Sequence, residues 1–176
     1  HYSAWGVHDD VLLDTAYQRF EQLSRAGSPF MLTTLTMDTH HPAGHLPVSC
    51  KGERYQSQYG NINMLNALKC SDRLISQLVQ RIQASPYGKD TLIVIASDHL
   101  AMPNDLTHIL TRQKRENLLL FLGDGIAPQQ LSADAGAEHQ RQRAQQGGEG
   151  GHQDRTKTQQ TGLVNGLARR HTLLAL

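Results

Sequence analysis

The sequence predicts an α/β fold, in which a mostly parallel sheet with flanking helices is followed by an unstructured tail. One indication is the segment TLIVIASDH at residues 91–99, whose run of five apolar residues is typical of a strand buried on both faces. A second is a long helix with an apolar stripe, which lies between that strand and an earlier apolar strand. The third is the loss of apolar periodicity after Pro128, where the composition cannot build a core.

The first helix is predicted to begin at Asp9 and to end near Gly27. Apolar residues recur after Asp9 at spacings of three and four, which places them on one face of a helix. Asp9 is expected to be the N-cap, because carboxylates accept hydrogen bonds from the free N–H groups at a helix start. Just before it lies the single tryptophan, Trp5, in the segment WGVHDD.

A second buried strand is predicted at residues 30–37, and it runs into the polar loop DTHHPAGH. His40 and His41 are adjacent, so an extended chain would turn them to opposite sides and only one would face a site. Pro42 restricts His41 to an extended conformation. The alternative is a solvated histidine-rich loop, and no constraint on His45 is evident.

The longest predicted helix connects this strand to residues 91–99. Its apolar stripe consists of Met64, Leu65, Leu68, Ile75, Leu78, Val79 and Ile82. Most of its charged residues lie elsewhere on the helix, as expected when the stripe faces a core and the charges face solvent. Strand, helix, short turn and strand form a βαβ unit, which should be parallel and right-handed.

The central strand delivers an acid and an imidazole, Asp98 and His99, to its carboxyl end. In open α/β sheets this edge is where ligands and catalytic groups collect. Carboxylate oxygen and imidazole nitrogen together suit a divalent metal such as Zn²⁺ or Mn²⁺. The alternative is structural, with Asp98 capping the next turn and His99 packing beside it.

A third apolar strand is predicted at residues 118–122, so residues 1–128 supply about half of a sheet of this class. Residues 129–176 are rich in Gln, Gly and Arg and have few large apolar residues. We therefore expect a partial catalytic domain at 1–128 and a tail at 129–176. The tail is interpreted either as natively disordered or as the product of a shifted reading frame, and it is not expected to pack against the domain.

Composition excludes some classes of function. The formal net charge of +1 and the low aromatic content argue against a nucleic-acid binder. No run approaches the roughly 20 apolar residues that a membrane-spanning helix needs. Cys50 and Cys70 are too few for a four-cysteine metal site, and the residues alone leave open whether they form a disulfide or remain thiols.

The motifs together resemble a known family. The segments TTLTMDTHHPAG, NALKCSDRLISQLV, IVIASDHLAMPND and RENLLLFLGDGIAP follow one another in an order that resembles the sulfatase-like branch of the alkaline phosphatase superfamily, which includes lipoteichoic acid synthases. Within it they look most like the enzymes that transfer phosphoglycerol from phosphatidylglycerol to membrane-derived periplasmic glucans. The resemblance covers residues 1 to about 128 and implies the carboxyl-terminal half of that catalytic domain.

The resemblance also implies roles for individual residues. Asp98 and His99 match two ligands of the family's catalytic Mn or Zn ion, and His40 matches the histidine that contacts the phosphoryl group. The family's threonine nucleophile, its glutamate ligand and its membrane helices are expected upstream of this chain. The isolated chain is therefore expected to be inactive. The implied location is the inner membrane with the domain in the periplasm, where Cys50 and Cys70 are expected to form a disulfide.

Two alternatives stay open at this stage. A sulfatase or a phosphoethanolamine transferase would use the same metal platform. A non-catalytic α/β binding module is also compatible, because no nucleophile stands beside Asp98 and His99, and Ser97 is expected to point to the opposite side of the strand.

Overall fold

The computed structural model describes residues 2–3, 5–112, 114–126 and 172–175, the last group as a strand of the sheet. The helices are α1 at Asp9–Arg25, α2 at Asn63–Ala84 and α3 at Thr107–Leu110. The strands are β1 at Tyr2–Ser3, β2 at Gly6–Val7, β3 at Met31–Thr33, β4 at Thr91–Ala96, β5 at Leu119–Leu122 and β6 at Thr172–Ala175. Helices and sheet alternate along the chain, so the predicted α/β class is confirmed.

The main sheet has the strand order β3-β6-β4-β5. Strand β6 is parallel to both β3 and β4, whereas β5 is antiparallel to β4. Strands β3 and β4 therefore run in the same direction, as predicted for the βαβ unit, and their carboxyl ends lie at the same edge. A separate two-stranded antiparallel hairpin of β1 and β2 precedes α1.

The expectation of a tail that does not pack against the domain is wrong for Thr172–Ala175. This segment forms β6, which pairs with β3 on one side and with β4 on the other. Its backbone supplies the hydrogen-bonding partners that join β3 to β4, and four residues are enough for that purpose. The rest of the predicted tail, residues 129–171 and residue 176, lies outside the described residues.

The core lies where α1 and α2 pack against β4. It consists of the buried side chains Leu13, Phe20, Leu78, Ile82 and Ile93. Leu68, predicted to share this stripe, is instead 45% exposed. The buried face turns at the start of α2 because Ala67 and Cys70 pack there against the preceding loops.

Strand β4 differs from the prediction of a strand buried on both faces. Thr91 and Ile93 are buried, whereas Leu92 and Val94 are half-buried and Ala96 is exposed. Helices α1 and α2 cover the face of the sheet that carries Ile93. Within the described residues, the opposite face, which carries Leu92 and Val94, is less completely covered. Also within the described residues, no helix is both long and apolar enough to cross a membrane.

Candidate active site

The loops that follow β3 and β4 meet at the carboxyl edge of the sheet. The backbone N–H of Asp105 donates to the carbonyl oxygen of Pro42 at 3.2 Å. Pro42 follows His40 by two residues, and Asp105 follows His99 by six. The fold therefore brings the two polar loops into contact, as expected for parallel strands that end at one edge.

Asp98 and His99 lie side by side at the end of β4. The Nε2 atom of His99 is 3.4 Å from Oδ2 of Asp98, and the two side chains are 57% and 61% exposed. The other carboxylate oxygen, Oδ1, accepts from the backbone N–H of His99 at 2.8 Å. One carboxylate oxygen of Asp98 thus binds the backbone, as the structural interpretation of this residue predicts. The other oxygen faces the His99 ring.

This pair fits two adjacent ligands of a metal ion. Donors that bind one tetrahedral zinc ion at about 2.1 Å lie about 3.4 Å apart, which is the separation between Nε2 and Oδ2. Nδ1 of His99 is 2.8 Å from the carbonyl oxygen of Leu100. It must carry a proton to donate there, and Nε2 is then the nitrogen free to bind a metal. Within the described residues, no group of three or more His, Cys, Asp or Glu side chains could hold a metal ion.

His40 lies in the loop after β3 and is held on two sides. Its Nδ1 is 2.7 Å from the carbonyl oxygen of His41, to which it can only donate. Its ring stacks on Trp5, with centroids 4.0 Å apart, and on His41, with centroids 4.5 Å apart. The two histidines do not turn to opposite sides, because they lie in turns rather than in an extended strand. Nε2 of His40 remains for a ligand.

A buried pair of carboxylates, Asp9 and Asp38, holds the base of this loop. Oδ1 of Asp9 accepts from the backbone N–H groups of Met37 at 2.7 Å and Asp38 at 3.3 Å, and Oδ2 accepts from the Ser71 hydroxyl at 2.9 Å. In return, Oδ2 of Asp38 accepts from the backbone N–H of Asp9 at 2.9 Å. Burial raises the pKa of Asp9, while the hydrogen bonds from Met37 and Ser71 oppose that rise.

This network corrects the expectation that Asp9 is an N-cap. His8 occupies the N-cap position and makes no side-chain cap, whereas Asp9 is the first residue of α1. Asp38, 29 residues away, accepts from the helix start instead, and its Oδ1 contacts Nδ1 of His8 at 2.7 Å. Sequence reasoning missed the roles of Asp38 and His8, because no local pattern links Asp38 to the start of α1, 29 residues away. His45 is also constrained, since its N–H donates to the Asp38 carbonyl oxygen at 2.6 Å.

Ser97 belongs to the sheet rather than to the metal pair. Its N–H donates to the carbonyl oxygen of Leu118 at 2.9 Å, and its Oγ accepts from the Leu118 N–H at 3.0 Å. These bonds extend the pairing of β4 with β5 by one residue. The hydroxyl is therefore occupied by the neighbouring chain segment.

Cys50 and Cys70 are joined by a disulfide, the pairing that the resemblance implied, with Cα atoms 5.9 Å apart. The bond ties the loop after the histidine segment to α2, and both residues are buried. Beside it, Arg73 donates to Glu53 at 2.8 Å and lowers the pKa of that carboxylate. The disulfide thus fixes the loop on the helix that also carries Ser71.

Comparison with known proteins gives a consistent result. Phosphoglycerol transferase I of Xanthomonas euvesicatoria pv. vesicatoria is 71% identical over 137 residues, which are 78% of this chain and 20% of that protein. Phosphoglycerol transferase I of Salmonella arizonae is 45% identical over 126 residues, which are 72% of this chain and 16% of that protein. The chain thus spans about a fifth of the length of these curated relatives or less. No solved structure matches it significantly.

The family model named Sulfatase matches residues 1–157. The match includes both strand-end loops, the disulfide and β5, and it runs beyond Pro128, where the resemblance of the motifs was expected to stop. It covers most of the chain. This protein therefore belongs to the sulfatase family.

Proposed function

We propose that this chain is the part of a metal-dependent phosphoglycerol transferase that supplies two metal ligands and one contact to the transferred phosphoryl group. The proposed reaction moves phosphoglycerol from phosphatidylglycerol to a hydroxyl of a periplasmic glucan, through a threonine nucleophile outside this chain. The names of the relatives at 71% and 45% identity support the general activity. The proposed location is the periplasmic side of the inner membrane, with membrane contact made by parts of the enzyme outside this chain.

The observation that carries the proposal is the arrangement of Asp98 and His99. Nε2 of His99 and Oδ2 of Asp98 lie 3.4 Å apart at an exposed strand end, and a hydrogen bond from Nδ1 to the Leu100 carbonyl oxygen leaves Nε2 free to bind a metal. A bound Mn²⁺ or Zn²⁺ ion would stabilise charge on the phosphoryl oxygens and lower the pKa of the attacking hydroxyl. Asp98 and His99 would provide two of its protein ligands.

His40 is proposed to contact a non-bridging phosphoryl oxygen. Its Nδ1 proton is directed to the His41 carbonyl oxygen, so Nε2 is the atom available to the substrate. When the imidazole is protonated, Nε2–H can donate to an oxygen on which negative charge builds up in the transition state. His40 therefore stabilises charge and orients the group that is transferred.

A chimaeric enzyme tests this function. In the Xanthomonas euvesicatoria phosphoglycerol transferase I, the stretch that matches this chain would be replaced by the corresponding 137 residues. We expect the chimaera to release diacylglycerol from phosphatidylglycerol and to transfer phosphoglycerol to a glucan. His99→Ala should lower transfer about a hundredfold or more, whereas His108→Ala, at an exposed histidine of α3, should leave it unchanged.

The competing functions give different results in the same assay. Hydrolysis of a sulfate ester, or transfer from phosphatidylethanolamine, with the same loss in His99→Ala would favour the sulfatase or the phosphoethanolamine transferase. Phosphoglycerol transfer that persists in His99→Ala would contradict the proposed metal site. A chimaera without any of these activities would favour a non-catalytic binding module.

A further inference from the structure

The segment from Trp5 to Asp9 packs against the histidine loop in a way that the proposed function does not explain. Trp5 is 51% exposed, yet its indole ring lies 4.0 Å from the His40 ring at an interplanar angle of 23°. We propose that Trp5 is a positioning residue that holds the His40 imidazole in the orientation in which it contacts the phosphoryl group.

The hairpin of β1 and β2 presents Trp5 in a defined position. Tyr2 pairs with Val7 and Ser3 with Gly6, so Trp5 lies at the tip of the hairpin. The Ser3 hydroxyl accepts from the Trp5 N–H at 3.1 Å and donates to the Gly6 carbonyl oxygen at 3.2 Å. Gly6 has φ +139°, a conformation that other residues rarely adopt. The tip is therefore shaped by its own hydrogen bonds.

Reciprocal hydrogen bonds between Asp9 and Asp38 join the segment that follows the hairpin to the histidine loop. Asp9 lies four residues after Trp5, and Asp38 lies two residues before His40. Each carboxylate accepts a hydrogen bond from the other residue's backbone N–H, in a site where both side chains are buried. The two chain segments are thus held at their bases, and the ring stack forms a short distance beyond.

The other end of the loop is also held. The N–H of Gly44 donates to the His40 carbonyl oxygen at 3.0 Å. A Cβ atom at Gly44 would lie 2.7 Å from Cβ of Ala67, so the loop returns in direct contact with α2. The backbone on both sides of His40 is therefore fixed, and rotation of its imidazole is the main remaining freedom. Contacts with Trp5, with the His41 ring and with the His41 carbonyl oxygen restrict that rotation.

The first experiment uses the full chain and needs no activity. In NMR spectra, ring currents of the indole should displace the His40 ring signals, which are assigned through His40→Gln. Trp5→Leu should remove this displacement, Trp5→Phe should retain part of it, and Tyr2→Leu in the same hairpin should leave it unchanged. Identical His40 signals in the native chain and Trp5→Leu would overturn the proposal.

The second experiment uses the chimaeric enzyme and depends on the proposed function. Trp5→Leu should lower kcat about ten- to a hundredfold with little change in KM, because misplacing the group harms the transition state more than substrate binding. Trp5→Phe should recover part of the loss. In a His40→Gln background, Trp5→Leu should cause no further loss, because Trp5 acts through His40.

The two experiments fail in different ways. Losses from Trp5→Leu and His40→Gln that multiply in the double variant would overturn the positioning role even if the enzyme is an active transferase. A chimaera that is inactive with Trp5 and His40 in place would contradict the proposed function. In that case the catalytic role of the stack falls with it, and the NMR result shows only whether Trp5 stacks on His40.

Discussion

Replacing Asp9 by alanine should be among the most damaging single changes in the described part of the chain. The Asp9 side chain is fully buried and accepts hydrogen bonds from Met37 N, Asp38 N and Ser71 Oγ. Asp9→Ala leaves these three donors without their acceptor in a site closed to water. Each unsatisfied donor costs about 1–3 kcal/mol, so we expect the unfolding free energy to fall by at least about 3 kcal/mol.

Two further variants separate the hydrogen bonds from the charge. Asp9→Asn keeps an oxygen that accepts from the backbone and an amide that donates to Ser71, so it should cost only about 1 kcal/mol. Asp10→Ala removes the neighbouring acid, whose carboxylate accepts a hydrogen bond from the backbone N–H of Val11 at the helix start. It should cost less than about 1 kcal/mol. Urea unfolding followed by circular dichroism measures all three, and a cost below about 1 kcal/mol for Asp9→Ala would refute the reasoning.

The same site predicts a dependence on pH. Burial raises the pKa of Asp9 above its ordinary value of 3.8, so the folded state holds this proton more tightly than the unfolded chain. The resulting stabilisation is fully present below the ordinary pKa and is lost as pH rises through the raised one. The stability of the native chain relative to Asp9→Asn should therefore decrease as the pH rises above the ordinary pKa of 3.8 and through the raised one. An increase as the pH rises above 3.8 would mean that the pKa is lowered.

Three other results are expected. Thiol titration of the unfolded, unreduced protein should find no free thiol, and two free thiols in protein isolated from the periplasm would contradict the disulfide. The double variant Cys50→Ser with Cys70→Ser should lower the unfolding free energy by about 3 kcal/mol. The isolated chain should bind Mn²⁺ weakly, and His99→Ala should abolish that binding. If the His40 ring and His99 face one cleft and lie within about 10 Å of each other, the bound ion should broaden the NMR signals of the His40 ring. Amide hydrogens of Thr172–Ala175 should exchange slowly because they pair in the sheet, and fast exchange would contradict β6.

The elements with a strong local signal were predictable from sequence. The extent of α2 follows from its apolar stripe, because the period of the stripe reports which face of a helix is buried. The position of β4 follows from its continuous apolar run, although that run did not report that one face of the strand is only half-buried. Asp98 and His99 were predictable as a pair because they directly follow that strand. Strand β3 is shorter than expected, since residues 34–37 lie outside the ladder even though their composition favours a strand. Pairing partners, rather than propensity, decide where a strand ends.

The sequence by itself determined the α/β class, the two long helices and the polar residues at the ends of β3 and β4. Only the tertiary structure decided that Asp9 and Asp38 exchange hydrogen bonds, that Trp5 stacks on His40, and that Thr172–Ala175 lies between β3 and β4. Local preferences depend on neighbouring residues, which the sequence displays. Contacts between residues about 30 or more positions apart depend instead on how the helices and strands pack, and no local pattern records that packing.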